Sequence, residues 1–285
     1  MGLPSTVDGA GGWDMELRDR VVVITGGGSG IGEALARTAV VEGARHVVVA
    51  DLRAGEAARV AAEIGGTGVG LDVRDEAAIV RLVDETQDRH GTVDLFCSNA
   101  GIVSMGGVEA SNEALQAMWE IHVLAHLYAA RAVLPSMIAR GEGYLLNTAS
   151  AAGLLAQIGS LAYSVTKHAA VALAEWLSIT HHHQGIRVSV LCPQAVRTNL
   201  RANSQIGEGG PRPAAVDGIL EPDDVAAVCV DALRHESFWV LPHPEVADYH
   251  RRKADDIDRW LAGMRRFQDR LYAGRPLPGD AIAPS

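Results

Sequence analysis

A chain of 285 residues and 30.1 kDa, 48% hydrophobic, can bury one large core without needing a second domain. Its net charge of −10 argues against nucleic acid and anionic membrane as partners, and no apolar run approaches the roughly 20 residues that span a bilayer. Cys97, Cys192 and Cys229 are isolated and odd in number, offering neither a disulfide framework nor a Cys-x-x-Cys metal pair; with no basic-then-apolar leader, the expected location is cytoplasmic.

Residues 1–18 hold glycines, a proline and no sustained period, and read as a flexible N-terminal arm. Residues 21–24 are all β-branched and predict a short buried strand. Gly26, Gly30 and Gly32 break it, and residues 33–40 follow with helical periodicity. Strand, glycine turn and helix in that order form a dinucleotide cradle, because glycine lets the backbone approach a pyrophosphate and the helix N-terminus offers unpaired N–H groups. Residues 46–51 form a second buried strand ending in Asp51, an acid placed to accept ribose hydroxyls and to repel a 2′-phosphate. The plainer reading is a tight strand–helix turn without a ligand; the flanking strands and Asp51 favour the cofactor.

A helix is expected over 54–64, a third strand over 69–73, a helix over 75–89 and a fourth strand over 93–101, which runs into a second polar-glycine turn. Ser111 caps a long helix reaching 138, which Pro135 is expected to bend or end early. The fifth strand covers 143–150, a second long helix 163–183 and the sixth strand 186–192. Residues 194–220, rich in Gly, Pro, Asn and Ser, read as a substrate lid. Pro222 opens a helix to 234, residues 238–241 make the last strand, and 247–271 is a charged amphipathic helix before a loose tail. The organisation expected is thus an arm (1–18), one Rossmann-type domain (19–245) and a C-terminal helix and tail (246–285). The alternation implies an α/β fold, a doubly wound parallel sheet of about seven strands with helices on both faces.

Tyr163 and Lys167 lie four apart near the start of the second long helix, so phenol and ammonium share one surface. A free phenol has a pKa of about 10, and a nearby cation lowers it toward proton exchange at neutral pH. Lys167 and Lys253 are the only lysines in the chain. Alone, such a pair is common on helix surfaces. Ser150, at the end of the preceding strand, strengthens it, since ligands of open parallel sheets sit beyond the strands' carboxyl ends. The run His181-His182-His183 does not suggest a metal, because neighbours on a helix point about 100° apart; no metal site is expected.

The spelling Thr25-Gly26-x-x-x-Gly30-x-Gly32, with Asn99-Ala100-Gly101, Ser150 and Tyr163-x-x-x-Lys167, resembles the short-chain dehydrogenase/reductase family, in its compact single-domain branch, over about residues 18–245. The resemblance implies that Thr25, Gly26, Gly28, Ser29, Gly30, Ile31 and Gly32 hold the pyrophosphate, Asp51 with Leu52 the adenosine ribose, and Asp72 with Val73 the adenine. It implies that Asn99, Ala100 and Gly101 line the cofactor cleft, and that Pro193, Val196 and Thr198 belong to the segment holding the carboxamide. Ser150 would polarise the substrate oxygen, Tyr163 exchange the proton, and Lys167 lower the tyrosine pKa while binding the nicotinamide ribose. Two positions depart from the family: His122 stands where an asparagine is usual in the long fourth helix, either a proton conductor or a satisfied core histidine, and Gln194 replaces a glycine after Pro193. The turn offers Ser29 rather than a cation, and Asp51 opposes a phosphate, so NAD is the expected cofactor; Arg53 keeps an NADP-dependent carbonyl reductase open as the alternative. A non-catalytic dinucleotide sensor is the rival from another class. The expected activity is hydride transfer between nicotinamide and a secondary alcohol or ketone, in a homotetramer built, as in the family, through the two long helices. Val103, Met105, Leu154, Leu155 and Ile158 are candidates for an apolar substrate pocket or equally for core, with Gln157 a polar contact.

Overall fold

The computed structural model describes residues 15–204 and 213–276. Seven parallel strands form one sheet in the order β3-β2-β1-β4-β5-β6-β7, from β1 (Val21–Thr25), β2 (His46–Asp51), β3 (Thr67–Gly70), β4 (Leu95–Ser98), β5 (Gly143–Thr148), β6 (Ile186–Leu191) and β7 (Trp239–Val240). The doubly wound fold expected from the sequence is therefore the fold observed. β1 and β5 are buried from end to end, as continuous apolar runs must be when helices cover both faces of a parallel sheet. One face carries α1 (Gly30–Val41), α2 (Ala54–Ile64) and α9 (Pro222–Arg234); the other carries α3 (Glu76–His90), α5 (Ala125–Arg140) and α7 (Leu161–His181). The chain reverses its winding between β1 and β4, which pair directly, and a crevice opens there beyond the strand ends.

Several elements differ from expectation. Of the N-terminal arm, residues 1–14 lie outside the described residues, as do 205–212 of the lid and the tail from 277; Met15 and Leu17 are buried against the core beside β1. Ser111 does cap a helix, accepting from Ala114 N at 3.2 Å, but Pro135 does not end it. α4 (Asn112–Trp119), a π-turn (Glu120–Leu124) and α5 run on as 29 residues to Arg140, where Gly141 closes the helix in the left-handed region at φ 72°. Buried Ala130, Val133 and Met137 on either side of Pro135 hold the helix through it. With a mean hydropathy of 1.3, this helix is long and apolar enough to cross a membrane by composition; here it packs between α3 and α7 along the sheet. The third strand is shorter than expected and ends at Gly70.

The predicted helix over 247–271 is two helices, α10 (Glu245–Asp255) and α11 (Ile257–Tyr272). Asp256 separates them with extended backbone, and its carboxylate caps α11 by accepting from Arg259 N at 3.0 Å. α10 packs on α6 (Ala152–Leu155), the short helix just after Ser150.

Candidate active site

The glycine turn sits over the β1 end of the crevice. Gly26 adopts φ 64° and Gly30 φ 56°, both in the left-handed region. A Cβ on Gly32 would lie 2.2 Å from the Gly26 carbonyl oxygen and 2.6 Å from Asn99 Nδ2, so turn, α1 and β4 close on one another only with glycine there. Ser29 is the N-cap of α1 but makes no side-chain capping bond, which leaves the first-turn N–H groups of a 12-residue helix for an anion. That cradle fits a pyrophosphate. Ile31 packs on the core below it, and Thr198 lies against Gly30, its Cγ2 2.9 Å from where a Cβ would stand. Thr198 follows a short bridge between Val196 and Leu220 that brings the segment after β6 over the crevice.

Asp51 is buried, and its carboxylate is fixed on both sides. Gly28 N donates to Oδ2 and Arg53 N to Oδ1, each at 3.0 Å. The Arg53 guanidinium reaches Ser29 Oγ at 3.2 Å. Leu52 stands largely exposed at the mouth. Asp72 is ion-paired with Arg74 at 2.6 Å, and that guanidinium holds its carboxyl below the usual range. The Val73 side chain is buried in the core.

A connected set of bonds runs from this turn to the second polar cluster. Asn99 donates from Nδ2 to the Gly26 carbonyl at 3.3 Å, and its N–H donates to Thr25 Oγ1 at 3.1 Å. Thr148 Oγ1 donates to Asn99 Oδ1 at 3.2 Å, and Lys167 Nζ donates to the Thr148 carbonyl at 2.9 Å. Ala100 N also leans on Thr25 Oγ1, at 3.4 Å. Gly101 faces both His122 Nε2 and Lys167 Nζ, at 3.7 and 3.9 Å from its hypothetical Cβ.

Tyr163 and Lys167 are both buried, with the ammonium 5.7 Å from the phenol ring centre. Burial pushes the Tyr163 phenol above its ordinary value, and a hydrogen bond with the Ser150 hydroxyl works the other way. Burial drives the Lys167 amine down to about 7. Ser150 Oγ accepts from Ala152 N at 3.1 Å and donates to the Pro193 carbonyl at 3.4 Å, which ties the segment after β6 to this cluster.

His122 lies in the π-turn and is fully buried. Ile102 N donates to its Nε2 at 3.2 Å, so Nδ1 carries the proton and donates to Thr166 Oγ1 at 2.8 Å; Thr166 passes its own hydrogen to the Ala162 carbonyl. Burial, helped by the Lys167 charge, holds the ring well below its ordinary pKa. Both nitrogens are thereby occupied, the arrangement of a satisfied core histidine rather than of a proton conductor. One turn on, His126 is buried with neither ring nitrogen hydrogen-bonded among the described residues, and burial lowers it to about 3.

A cavity of about 740 Å³ opens at Ser150. Leu155, Gln157 and Ile158 line it, as the sequence suggested, whereas Leu154 and Val103 are buried in core clusters. Ala156, at φ 63°, makes the strained turn between α6 and that wall. Gln194 also lines the cavity, and its Nε2 donates to Asp217 Oδ2 at 2.7 Å. The opposite wall comes from α10 and α11, with Tyr249, Trp260 and Phe267. The charged amphipathic helix expected over 247–271 gave no pointer to this wall beyond the apolar stripe at 260, 264 and 267. His181 Nδ1 bonds Gln184 at a helix end, and no metal-ligand cluster occurs among the described residues.

A family model for the short chain dehydrogenases matches residues 20–209. The chain is 34% identical over 257 residues to the 1-deoxy-11-beta-hydroxypentalenate dehydrogenase of Streptomyces exfoliatus, covering 87% of this chain and 92% of that protein. It is 32% identical over 220 residues to the meso-2,3-butanediol dehydrogenase of Serratia marcescens, covering 75% and 87%. Among solved structures, a short chain dehydrogenase/reductase from Burkholderia phymatum in complex with NAD superposes with a TM-score of 0.77 at 30% identity, over 86% of this chain and 96% of that one. Fold, glycine turn and relatives agree: the chain belongs to the short-chain dehydrogenase/reductase family.

Proposed function

We propose that the protein is an NAD-dependent dehydrogenase that moves a hydride between the nicotinamide and a hydrophobic secondary alcohol or ketone. The observation that carries this reading is that Ser150, which lines the large cavity, is hydrogen-bonded with the buried Tyr163 phenol, while buried Lys167 on the same helix is tied through Thr148 and Asn99 to the glycine turn. Relatives named as dehydrogenases of hydroxylated compounds, and a neighbour solved with NAD, support the reaction class.

When bound, the nicotinamide supplies or accepts the hydride. The chain's own residues do the rest. Ser150 Oγ orients the substrate oxygen toward the phenol, and Tyr163 takes the alcohol proton in oxidation or returns it in reduction. Lys167, held by the Thr148 carbonyl with its amine 5.7 Å from the phenol ring centre, would donate to the nicotinamide ribose. His122 acts on the reaction only by fixing the backbone at Ile102 and the helix at Thr166. α6, α10 and the segment around Gln194 wall the cavity in which the substrate's skeleton would lie.

NAD is preferred over NADP because the Asp51 carboxylate sits at the glycine turn, where a 2′-phosphate would meet like charge. One observation favours the NADP reading: the Arg53 guanidinium rests on Ser29 at the same edge. A homo-oligomer through α4 and α7 fits the exposed Trp119, Val165, Trp176 and Ile179. The test is reduction of NAD and of NADP by the purified protein with a panel of secondary alcohols, beside Tyr163→Phe. Turnover with NAD that vanishes in the variant supports the proposal; a variant as active as its parent removes the mechanism.

A further inference from the structure

We propose that the cavity beside Ser150 takes an alcohol whose hydrophobic skeleton also bears a carboxylate, which arginines of the C-terminal helices receive. The inference rests on the dehydrogenase reading above and names its substrate class.

α11 shows the cavity two parallel stripes. Trp260, Met264 and Phe267 are spaced four and three apart and form its apolar wall; Arg259, Gly263 and Arg266 follow the same spacing one residue earlier, and both stripes line the cavity. Gly263 leaves open space between the two guanidiniums, since the nearest atom to a Cβ there is Arg266 Nη2 at 3.9 Å. Arg252, from α10, joins them at the rim.

The charges of these arginines are unspent. Many guanidiniums elsewhere meet carboxylates, as Arg37 and Arg59 do with Glu33, Arg187 with Glu236 and Arg197 with Glu221. Among the described residues, Arg259 and Arg266 form no ion pair, and Arg252 has only the Tyr249 ring. Asp255 and Asp256 also reach the cavity, but Asp256 is engaged in capping α11. Counting Arg270, four guanidiniums face two carboxylates, in a protein whose net charge is −10. A positive rim on an otherwise apolar chamber in an acidic protein is what an amphipathic anion requires: the skeleton is desolvated against Trp260, Leu155 and Ile158, while the carboxylate stays at the mouth in fork-shaped contact with guanidinium. A neutral alcohol of the same shape would leave the arginines unused. A cavity of about 740 Å³ admits a fused-ring skeleton of several rings.

The test compares lithocholate and 4-hydroxycyclohexanecarboxylate, each with its own methyl ester, by calorimetric titration of the full-length protein with and without NAD. The acids are expected to bind about tenfold or more tightly than the esters. The double variant Arg259→Gln, Arg266→Gln is expected to erase that difference while leaving ester binding within about threefold. Arg259→Lys with Arg266→Lys is expected to keep part of it, which separates charge from folding. Equal binding of acid and ester, absence of binding included, overturns the inference, as does a preference that survives the Gln variant. Acid-selective binding without NADH formation from any secondary alcohol would instead sink the dehydrogenase reading alone.

Discussion

Lys167 Nζ donates to the carbonyl of Thr148 at 2.9 Å, while the side chain of that same Thr148 donates to Asn99. One residue at the end of β5 thus links the amine of α7 to the glycine turn. The amine is held in place without a carboxylate partner, and burial brings it down to about 7.

This arrangement predicts that Lys167→Met gains stability as it loses function. In the unfolded chain the amine titrates near 10.5, in the folded chain near 7, so between these values unfolding takes up a proton and the lysine destabilises the fold. The effect is largest at and below pH 7 and fades as pH rises toward 10.5. Allowing for the lost hydrogen bond to Thr148, Lys167→Met should raise Tm by about 2–6 °C at pH 7 and by nearly nothing at pH 10. Turnover should fall by about a hundredfold or more. A variant that melts earlier than its parent at pH 7 would contradict this account of the buried amine.

His126 sets the acid side. Its folded-state pKa of about 3 lies far below the ordinary 6.5, so the unfolded chain binds a proton that the folded chain refuses, and stability is lost as pH falls from 6.5 toward 3. His122, also depressed, adds to the same limb. Since neither ring nitrogen of His126 is bonded, an apolar side chain of similar size leaves nothing unsatisfied. Thermal melts across pH 4.5–7.5 should therefore show a flatter acid limb for His126→Leu, with stability at pH 7 unchanged or higher by about 1 kcal/mol. A steeper limb would show that the ring has a partner in solution.

The proposed preference for NAD rests on Asp51. Its carboxylate lies against Gly28 N, with Arg53 beside it. Asp51→Ser keeps a short acceptor for that N–H and removes the charge that opposes a phosphate, leaving Arg53 to attract one. The ratio of kcat/KM for NADP over NAD should rise by about tenfold to a hundredfold. If the ratio is indifferent to this change, the discrimination resides elsewhere in the crevice.

How far the sequence discloses this site depends on what carries each contact. The strands announce themselves through β-branched runs, the crevice through the glycine spacing that only Gly26, Gly30 and Gly32 satisfy, and the proposed reactive cluster through Tyr163, Lys167 and Ser150 at strand and helix ends. Contacts made by backbone atoms have no such signature, so Thr148, whose carbonyl holds Lys167, and Ile102, whose N–H fixes the tautomer of His122, emerge only in three dimensions. Pro135 reads as a helix breaker because local chemistry says so, yet buried neighbours on both sides override it. The break at Asp256 was hidden for the converse reason, since one aspartate in a charged helix does not reveal that it caps a new one. His126 escaped notice because nothing about a lone histidine in an apolar stretch tells whether its ring finds a partner.

The second lysine fastens the cavity's outer wall. Lys253 Nζ donates to the Leu154 carbonyl at 2.6 Å and lies 3.5 Å from His168 Nε2, joining α10 to α6 and to the helix that bears Tyr163. Leu154 belongs to the short helix that starts two residues after Ser150, so the bond ties the Ser150 end of the cavity to the wall formed by α10 and α11. Lys253→Met retains the aliphatic stem and loses only the bond. It should leave nucleotide affinity, read by NADH fluorescence, unchanged, because the glycine turn is not touched. KM for the alcohol should rise by about three- to tenfold with kcat within about twofold, the mark of a loosened pocket rather than an impaired reaction. A fall in kcat at constant KM would place the lysine in the chemistry, and an unchanged KM would show that the α10 wall plays no part in holding substrate.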